Sequence, residues 1–181
     1  VAYRDKRTNG MSQRWNENVL DGYQTFVKTG VNYNIFNSLY QFLSIKNKPV
    51  LKASHSILFT ADYINFFLSG KRTNELTLAG TTQMLNAETG DWDRQITRYL
   101  GIENKLAGRP VLPGTILGNW QNNNGLSANI VAVAGHDTAC AVAAIPYTDP
   151  NFAFIATGTW CIAGMLADKP LLSRDAYKLG I

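Results

Sequence analysis

Chemistry-bearing side chains gather at two places in residues 129–164. The first is His136-Asp137-Thr138, which follows Gly135 at the end of the apolar run Ile130-Val131-Ala132-Val133-Ala134. A neutral alcohol is a poor nucleophile at phosphorus, and a positioned carboxylate can take its proton as the new bond forms. Asp137 is the candidate for that work, with His136 and Thr138 beside it to contact a polar acceptor. Aspartate is also a preferred helix N-cap, and the residue pattern leaves base and cap equally open. The second place is Thr157-Gly158-Thr159, after the apolar run Phe152-Ala153-Phe154-Ile155-Ala156. Glycine between two hydroxyls lets backbone N–H groups approach phosphate oxygens, although the same tripeptide also makes an ordinary hairpin turn. Together the two places point to phosphoryl transfer to a polar substrate.

The elements that must hold these groups follow from pattern. A short apolar run bounded by glycine reads as a buried strand, and residues just past its end are held rigidly beside a cleft. Ala139, Ala141, Ala143 and Ala144 then predict a helix able to pack closely on a sheet, whose first turn would favour an ionised Asp137. Upstream, the spacing of Val19, Tyr23, Phe26 and Val27 predicts a helix over 16–28 that stops at Gly30. Leu39, Tyr40, Phe42 and Leu43 predict another over 37–45, ended before Pro49. Residues 56–68 read as a buried apolar helix with Asp62 near its centre and a stop at Ser69-Gly70. Residues 75–85 are small and polar, suited to tight packing beside a cleft. Asp91-Trp92-Asp93 opens a helix that runs through Leu100 to Gly101. Residues 109–125 are turn-rich, and 146–151 is the best domain boundary.

Composition narrows the function classes. Hydrophobic residues at 45% and charged residues at 17% of 181 are those of an ordinary globular protein. The formal charge of +4 is scattered, which argues against nucleic acid as a partner. No apolar run approaches the roughly 20 residues that span a bilayer, and no secretory signal opens the chain, so the reading is cytoplasmic and without a membrane partner. Cys140 and Cys161 offer neither a disulfide framework nor a zinc spacing, and no metal ligands are assigned. Cys140, Trp160 and Cys161 read as core, and His55 as surface. Asp5 with Arg4 and Arg7 reads as an ion-pair network. No Gly-x-x-x-x-Gly-Lys-Ser/Thr loop and no Gly-x-Ser-x-Gly elbow is present. The chain starts without methionine and reads as an internal segment of a larger enzyme.

An ordered series of motifs then carries a resemblance along nearly the whole chain. It comprises Tyr3-Arg4-Asp5-x-Arg7-Thr8-Asn9-Gly10, Phe36-Asn37-Ser38-Leu39-Tyr40-Gln41, Asp62-Tyr63-x-Asn65 and Leu68-x-Gly70-Lys71. It continues through Thr81-Thr82-Gln83-x-Leu85-Asn86, Asp91-Trp92-Asp93, Gly108-Arg109-Pro110, Pro113-Gly114 and Gly118-Asn119-Trp120. It closes with His136-Asp137-Thr138-Ala139 and Gly158-Thr159-Trp160. The series resembles the middle of the FGGY-type carbohydrate kinases.

That resemblance implies an α/β, actin-like (ribonuclease H-like) fold with a cleft between two domains. Residues 1–147 would be the later part of the N-terminal, sugar-binding domain, and 148–181 the start of the C-terminal, nucleotide-binding domain. It implies ATP and Mg2+ as cofactors and a ketose as the sugar partner, with a deoxyketohexose, L-rhamnulose ahead of L-fuculose, as acceptor. By motif position Asp137 would be the general base, His136 and Thr138 sugar contacts, and Thr159 a nucleotide-phosphate contact. Motifs near 76–81 and 134–138 lean toward relatives acting on L-fuculose. The Tyr3 motif and Gly108-Arg109-Pro110 lean toward those acting on L-rhamnulose. The phosphate-binding Asp-x-Gly segment and the adenosine-binding elements of the family lie outside these residues, so the segment alone is expected to turn over little or nothing. A non-catalytic sugar-binding module on the same scaffold is the alternative.

Overall fold

A computed structural model describes residues 5–149, 151–158 and 160–180. Helices build the first half: α1 (Met11–Asn18), α2 (Gly22–Thr29), α3 (Ser38–Ile45), α4 (Pro49–Ala53), α5 (Thr60–Ser69), α6 (Leu76–Gly80) and α7 (Arg94–Leu100). Their shared core joins Trp15, Leu39, Tyr40, Leu43, Leu51, Ile57, Met84, Ile96, Leu100 and Ile102. Trp15 is its centre. Its ring is fully buried and meets Tyr99 edge-on at 5.5 Å, and its indole N–H donates to Thr25 Oγ1 at 2.8 Å. The polar tip of the largest core side chain is thus satisfied inside the core, which is the condition for burying it at all.

The helix expected over 16–28 is two helices. Asp21 accepts the Gln24 amide while the Gln24 side chain accepts the Asp21 amide, and this capping box restarts the chain after Val19. Gly30, Gly70 and Gly101 are left-handed C-caps at positive φ, as their spacing predicts. Pro49 opens α4 from its first turn, where its missing N–H has no helical partner to lose. Residues 56–68 form α5 later than expected, and the helix is not buried all round: Tyr63, Ile64 and Phe67 face outward.

Strands occur as three antiparallel pairs among the described residues: β1 (Leu85–Asn86) with β2 (Asp91–Trp92), β3 (Ile116–Gln121) with β4 (Ser127–Val131), and β5 (Ala153–Thr157) with β6 (Cys161–Met165). Several sequence expectations change here: Asp91-Trp92, expected to open a helix, is strand β2, and α7 starts only after its N-cap Asp93. The run 130–134 is strand only as far as Val131, and Val133 is exposed. The turn-rich stretch 109–125 contains β3, whose register partners run from Ile116↔Val131 to Gln121↔Ser127. Gly118 explains why a strand fits there. An added Cβ would lie 3.2 Å from the Ser69 carbonyl oxygen, a tight contact that glycine avoids where β3 closes on the end of α5. The β5–β6 hairpin is likewise open, with Ile155 exposed rather than buried.

α8 (Asp137–Ala143) follows β4, and α9 (Arg174–Leu179) returns to α2. Tyr177 packs on Tyr23 and Phe26 at 5.6 and 5.5 Å, with its hydroxyl over Gly22, where a side chain would collide. No helix among the described residues is long and apolar enough to cross a membrane.

Trp15→Ala is expected to lower unfolding stability by about 3–5 kcal/mol, the range for emptying a large aromatic site. Phe67→Ala, on the open face of α5, is expected to stay within about 0.5 kcal/mol. Urea unfolding of both variants measures the contrast.

Candidate active site

The bend between β4 and α8 is fixed from outside its own hairpin. β4 ends at Val131, and buried Ala132 carries the pairing one step further, its amide on the Thr115 carbonyl and its own carbonyl accepting the Gly114 amide. The Gly135 amide then donates to Glu75 Oε2 at 3.0 Å, and the His136 amide to Thr77 Oγ1 at 3.2 Å. Glu75 is a buried side chain at the N-cap of α6. It also accepts the Thr77 amide at 2.7 Å, the Thr77 hydroxyl at 2.6 Å and the Leu78 amide at 3.2 Å. A buried carboxylate requires such donors in place of water. Glycine suits position 135, since a Cβ there would sit 2.5 Å from Leu78 Cδ1 and 2.7 Å from its Cγ and would push the Leu78 side chain aside.

Asp137 stands on that bend as the first residue of α8, with its side chain 98% exposed. It does not cap the helix. The N-cap is His136, which makes no side-chain capping bond, and among the described residues the Asp137 carboxylate accepts the adjacent Thr138 amide at 2.7 Å and the Thr138 hydroxyl at 3.4 Å. His136 Nε2 lies 3.8 Å from Asp137 Oδ1, beyond hydrogen-bond length. The Cys140 thiol donates to the Ala134 carbonyl at 2.9 Å, closing the first turn of α8 onto the bend; Cys140 is exposed rather than core. His136, Asp137 and Thr138 therefore share one anchored and open corner.

The Thr157-Gly158 pair is a hairpin turn. Thr157 pairs with Cys161, and the Gly158 amide donates to the Trp160 carbonyl at 3.0 Å. Thr159 lies outside the described residues, as do Tyr3 and Arg4. The space where a Gly158 Cβ would stand is open. Trp160 and Cys161 are exposed, against the core expectation, and the Trp160 ring meets Phe36 at 5.6 Å. His55 is exposed, and Asp5 pairs with Arg7 at 2.8 Å.

The comparisons with known proteins bear on this geometry. Residues 1–144 match the N-terminal domain of the FGGY family of carbohydrate kinases. The chain belongs to the FGGY family. It is 38% identical over 178 residues to a rhamnulokinase of Yersinia pestis, covering 97% of this chain and 36% of that protein. To a rhamnulokinase of Bacteroides thetaiotaomicron it is 35% identical over 185 residues, covering 98% and 38%. The chain thus spans little more than a third of the length of these FGGY relatives. Among solved structures, the ligand-bound xylulose kinase of Lactobacillus acidophilus superposes with a TM-score of 0.78 at 21% identity, over 97% of this chain and 37% of that one. A carbohydrate kinase of Novosphingobium aromaticivorans gives 0.64 at 26% identity, over 81% and 34%. The α/β arrangement described above is therefore part of the FGGY kinase fold.

Sequence reasoning placed residues 75–85 beside a cleft but missed Glu75, Thr77 and Leu78 as the parts that grip the Gly135 bend. The available signal was local: Glu75 stands two residues before a hydroxyl and three before Leu78, at a helix start. Behind them, Asp62 is buried in α5 and accepts the Glu75 amide at 3.1 Å and the Asn74 side-chain amide at 3.2 Å. Burial raises the Asp62 carboxyl above the ordinary aspartate range, against the lowering effect of those hydrogen bonds.

The sign of the resulting pH dependence is fixed. Folded Asp62 keeps its proton to higher pH than unfolded Asp62, so its contribution to stability falls as pH rises from the ordinary carboxyl range through the raised value. Asp62→Asn is expected to remove that falling segment from the stability–pH curve, whatever its constant offset. Denaturant unfolding of both proteins across the acid range checks the difference in slope.

Proposed function

We propose that this chain is the sugar-side part of an ATP-dependent ketose kinase, with Asp137 as its general base. The supporting observation is an exposed carboxylate, bonded through one oxygen to the neighbouring Thr138, on a bend whose backbone is held by a buried carboxylate. Chemistry of this kind requires a base that is fixed in place yet not consumed by its own helix. In the reaction, Asp137 accepts the proton of a ketose hydroxyl as that oxygen bonds to the γ-phosphorus of ATP. The bond from that phosphorus to the β–γ bridging oxygen breaks, and ADP leaves. His136 and Thr138, on either side, contact the sugar. Thr159 contacts the nucleotide phosphates.

Among the described residues, no group of three or more His, Cys, Asp or Glu gathers to hold a metal. In this reading magnesium comes with ATP as the MgATP substrate, and its ligands are not assigned to residues of this chain. The acceptor is a deoxyketohexose, L-rhamnulose giving L-rhamnulose 1-phosphate, a reading supported by the rhamnulokinases at 38% and 35% identity. Residues 1–147 belong to the sugar-binding domain and 148–181 open the nucleotide-binding domain of a cytoplasmic enzyme in rhamnose catabolism.

The test is sugar-dependent ADP release from the full-length protein. L-Rhamnulose is expected to give the highest kcat/KM in a panel with L-fuculose, L-ribulose and D-xylulose; preference for another ketose reassigns the acceptor. Asp137→Asn is expected to lower kcat by roughly 10²–10⁴, with sugar affinity largely kept. Near-normal turnover in that variant removes Asp137 from the role.

A further inference from the structure

We infer that Glu75 and Thr77 are positioning residues for the Asp137 carboxylate, an inference that rests on the kinase reading above. Neither side chain touches the catalytic corner's functional groups. Both act on the backbone of the two residues immediately before the base: Glu75 Oε2 on the Gly135 amide and Thr77 Oγ1 on the His136 amide. The two grips are coupled through one proton. The Thr77 hydroxyl donates to Glu75 Oε2 at 2.6 Å, which turns its lone pairs toward the His136 N–H at 3.2 Å. Glu75 in turn is set by the α6 amides of Thr77 and Leu78, and its own amide is held by Asp62. Leu78 closes the third side, filling the space a Gly135 side chain would need.

The direction in which the chain enters α8 is therefore set by α6, some sixty residues earlier in sequence. Among the described residues, the Asp137 carboxylate meets Thr138 and, at 3.8 Å, His136, both on its own bend, and these contacts do not tie it to another element. Releasing the bend would leave an intact carboxylate aimed wrongly, and a misplacement of about 1 Å is enough to lower a rate by about a hundredfold.

The decisive variants are Thr77→Val, which keeps shape and removes the hydroxyl, and Thr77→Ser, which keeps the hydroxyl. In the full-length protein, Thr77→Val is expected to lower kcat by about 10- to 100-fold. Thr77→Ser is expected to restore it to within about threefold, the scale of a small residual misalignment. The His136 amide is expected to exchange with solvent faster in Thr77→Val than in wild type. Because Thr77 acts through Asp137, adding Thr77→Val to Asp137→Asn should lower kcat no further; residues acting as a unit are non-additive in this way. A purely structural role would instead lower activity by the same factor in both backgrounds, and that result overturns the proposal. So does a Thr77→Val enzyme with wild-type kcat, or with unchanged His136 exchange. If Asp137→Asn itself turns over normally, the kinase base assignment fails and this proposal with it. A crippled Asp137→Asn beside an unaffected Thr77→Val defeats the positioning role alone. Glu75→Gln, which offers a donor where four N–H or O–H groups need acceptors, should match or exceed the Thr77→Val defect. Should it fail to fold, the Thr77 pair decides.

Discussion

A carboxylate taken out of water must find donors for its oxygens, and the way Glu75 does so organises this molecule. Its partners are the amides of Thr77 and Leu78, the Thr77 hydroxyl and the Gly135 amide. The first three are local and cap α6. The fourth is sixty residues away and would otherwise be an orphaned amide in a bend that has left its ladder. Each group's requirement is met by the other, so the helix start and the β4–α8 bend are held in one arrangement.

The support extends behind this pair. Asn74 donates to the Ile57 carbonyl and to Asp62, and its side-chain oxygen accepts the Ala107 amide. α5, the segment before α6 and the chain at 107 are thereby tied to the same buried network. No buried side-chain nitrogen or oxygen among the described residues lacks a partner. That completeness is what makes the network a rigid mount rather than a source of strain, since a half-satisfied polar cluster destabilises more than an apolar one. The open carboxylate of Asp137 is the contrast. Rigidity sits in the backbone around it, and freedom is left to the group that would meet the substrate.

Much of this was readable along the chain because it depends on near neighbours. Gly30, Gly70 and Gly101 end helices where expected, since only local φ decides a left-handed cap. Asp93 starts α7, and α3 and α8 fall where their residue types put them. The His136-Asp137-Thr138 corner was visible as a polar turn after an apolar run. What failed were features set at a distance. Residues 130–134 look like one strand, but β4 ends at Val131, and a few residues on the Gly135 and His136 amides bond to Glu75 and Thr77 of another element instead of to a strand. Asparagines and glycines around 118–125 suggest turns throughout, yet Gly118 is a strand residue because the end of α5 lies against it. The split at Val19–Asp21 needed the Asp21–Gln24 capping box to outweigh a continuous apolar stripe. Apolar residues of the β5–β6 hairpin suggest burial, but Phe154 and Ala156 are only half-buried, and Ile155, Ile162 and Met165 are exposed. Glu75 was the hardest to read, because its key partner is a backbone amide, which carries no residue-type signature.

The position of Asp137 depends, in this mechanism, on the buried Glu75 carboxylate. The most direct measurement is a crystal structure of the full-length Glu75→Ala protein beside wild type, superposed on the Trp15 core. The expected result is an unchanged helical core and an Asp137 Cα displaced by about 1 Å or more, the scale on which reactive geometry is lost. An Asp137 that keeps its wild-type position without the Glu75 carboxylate would contradict it.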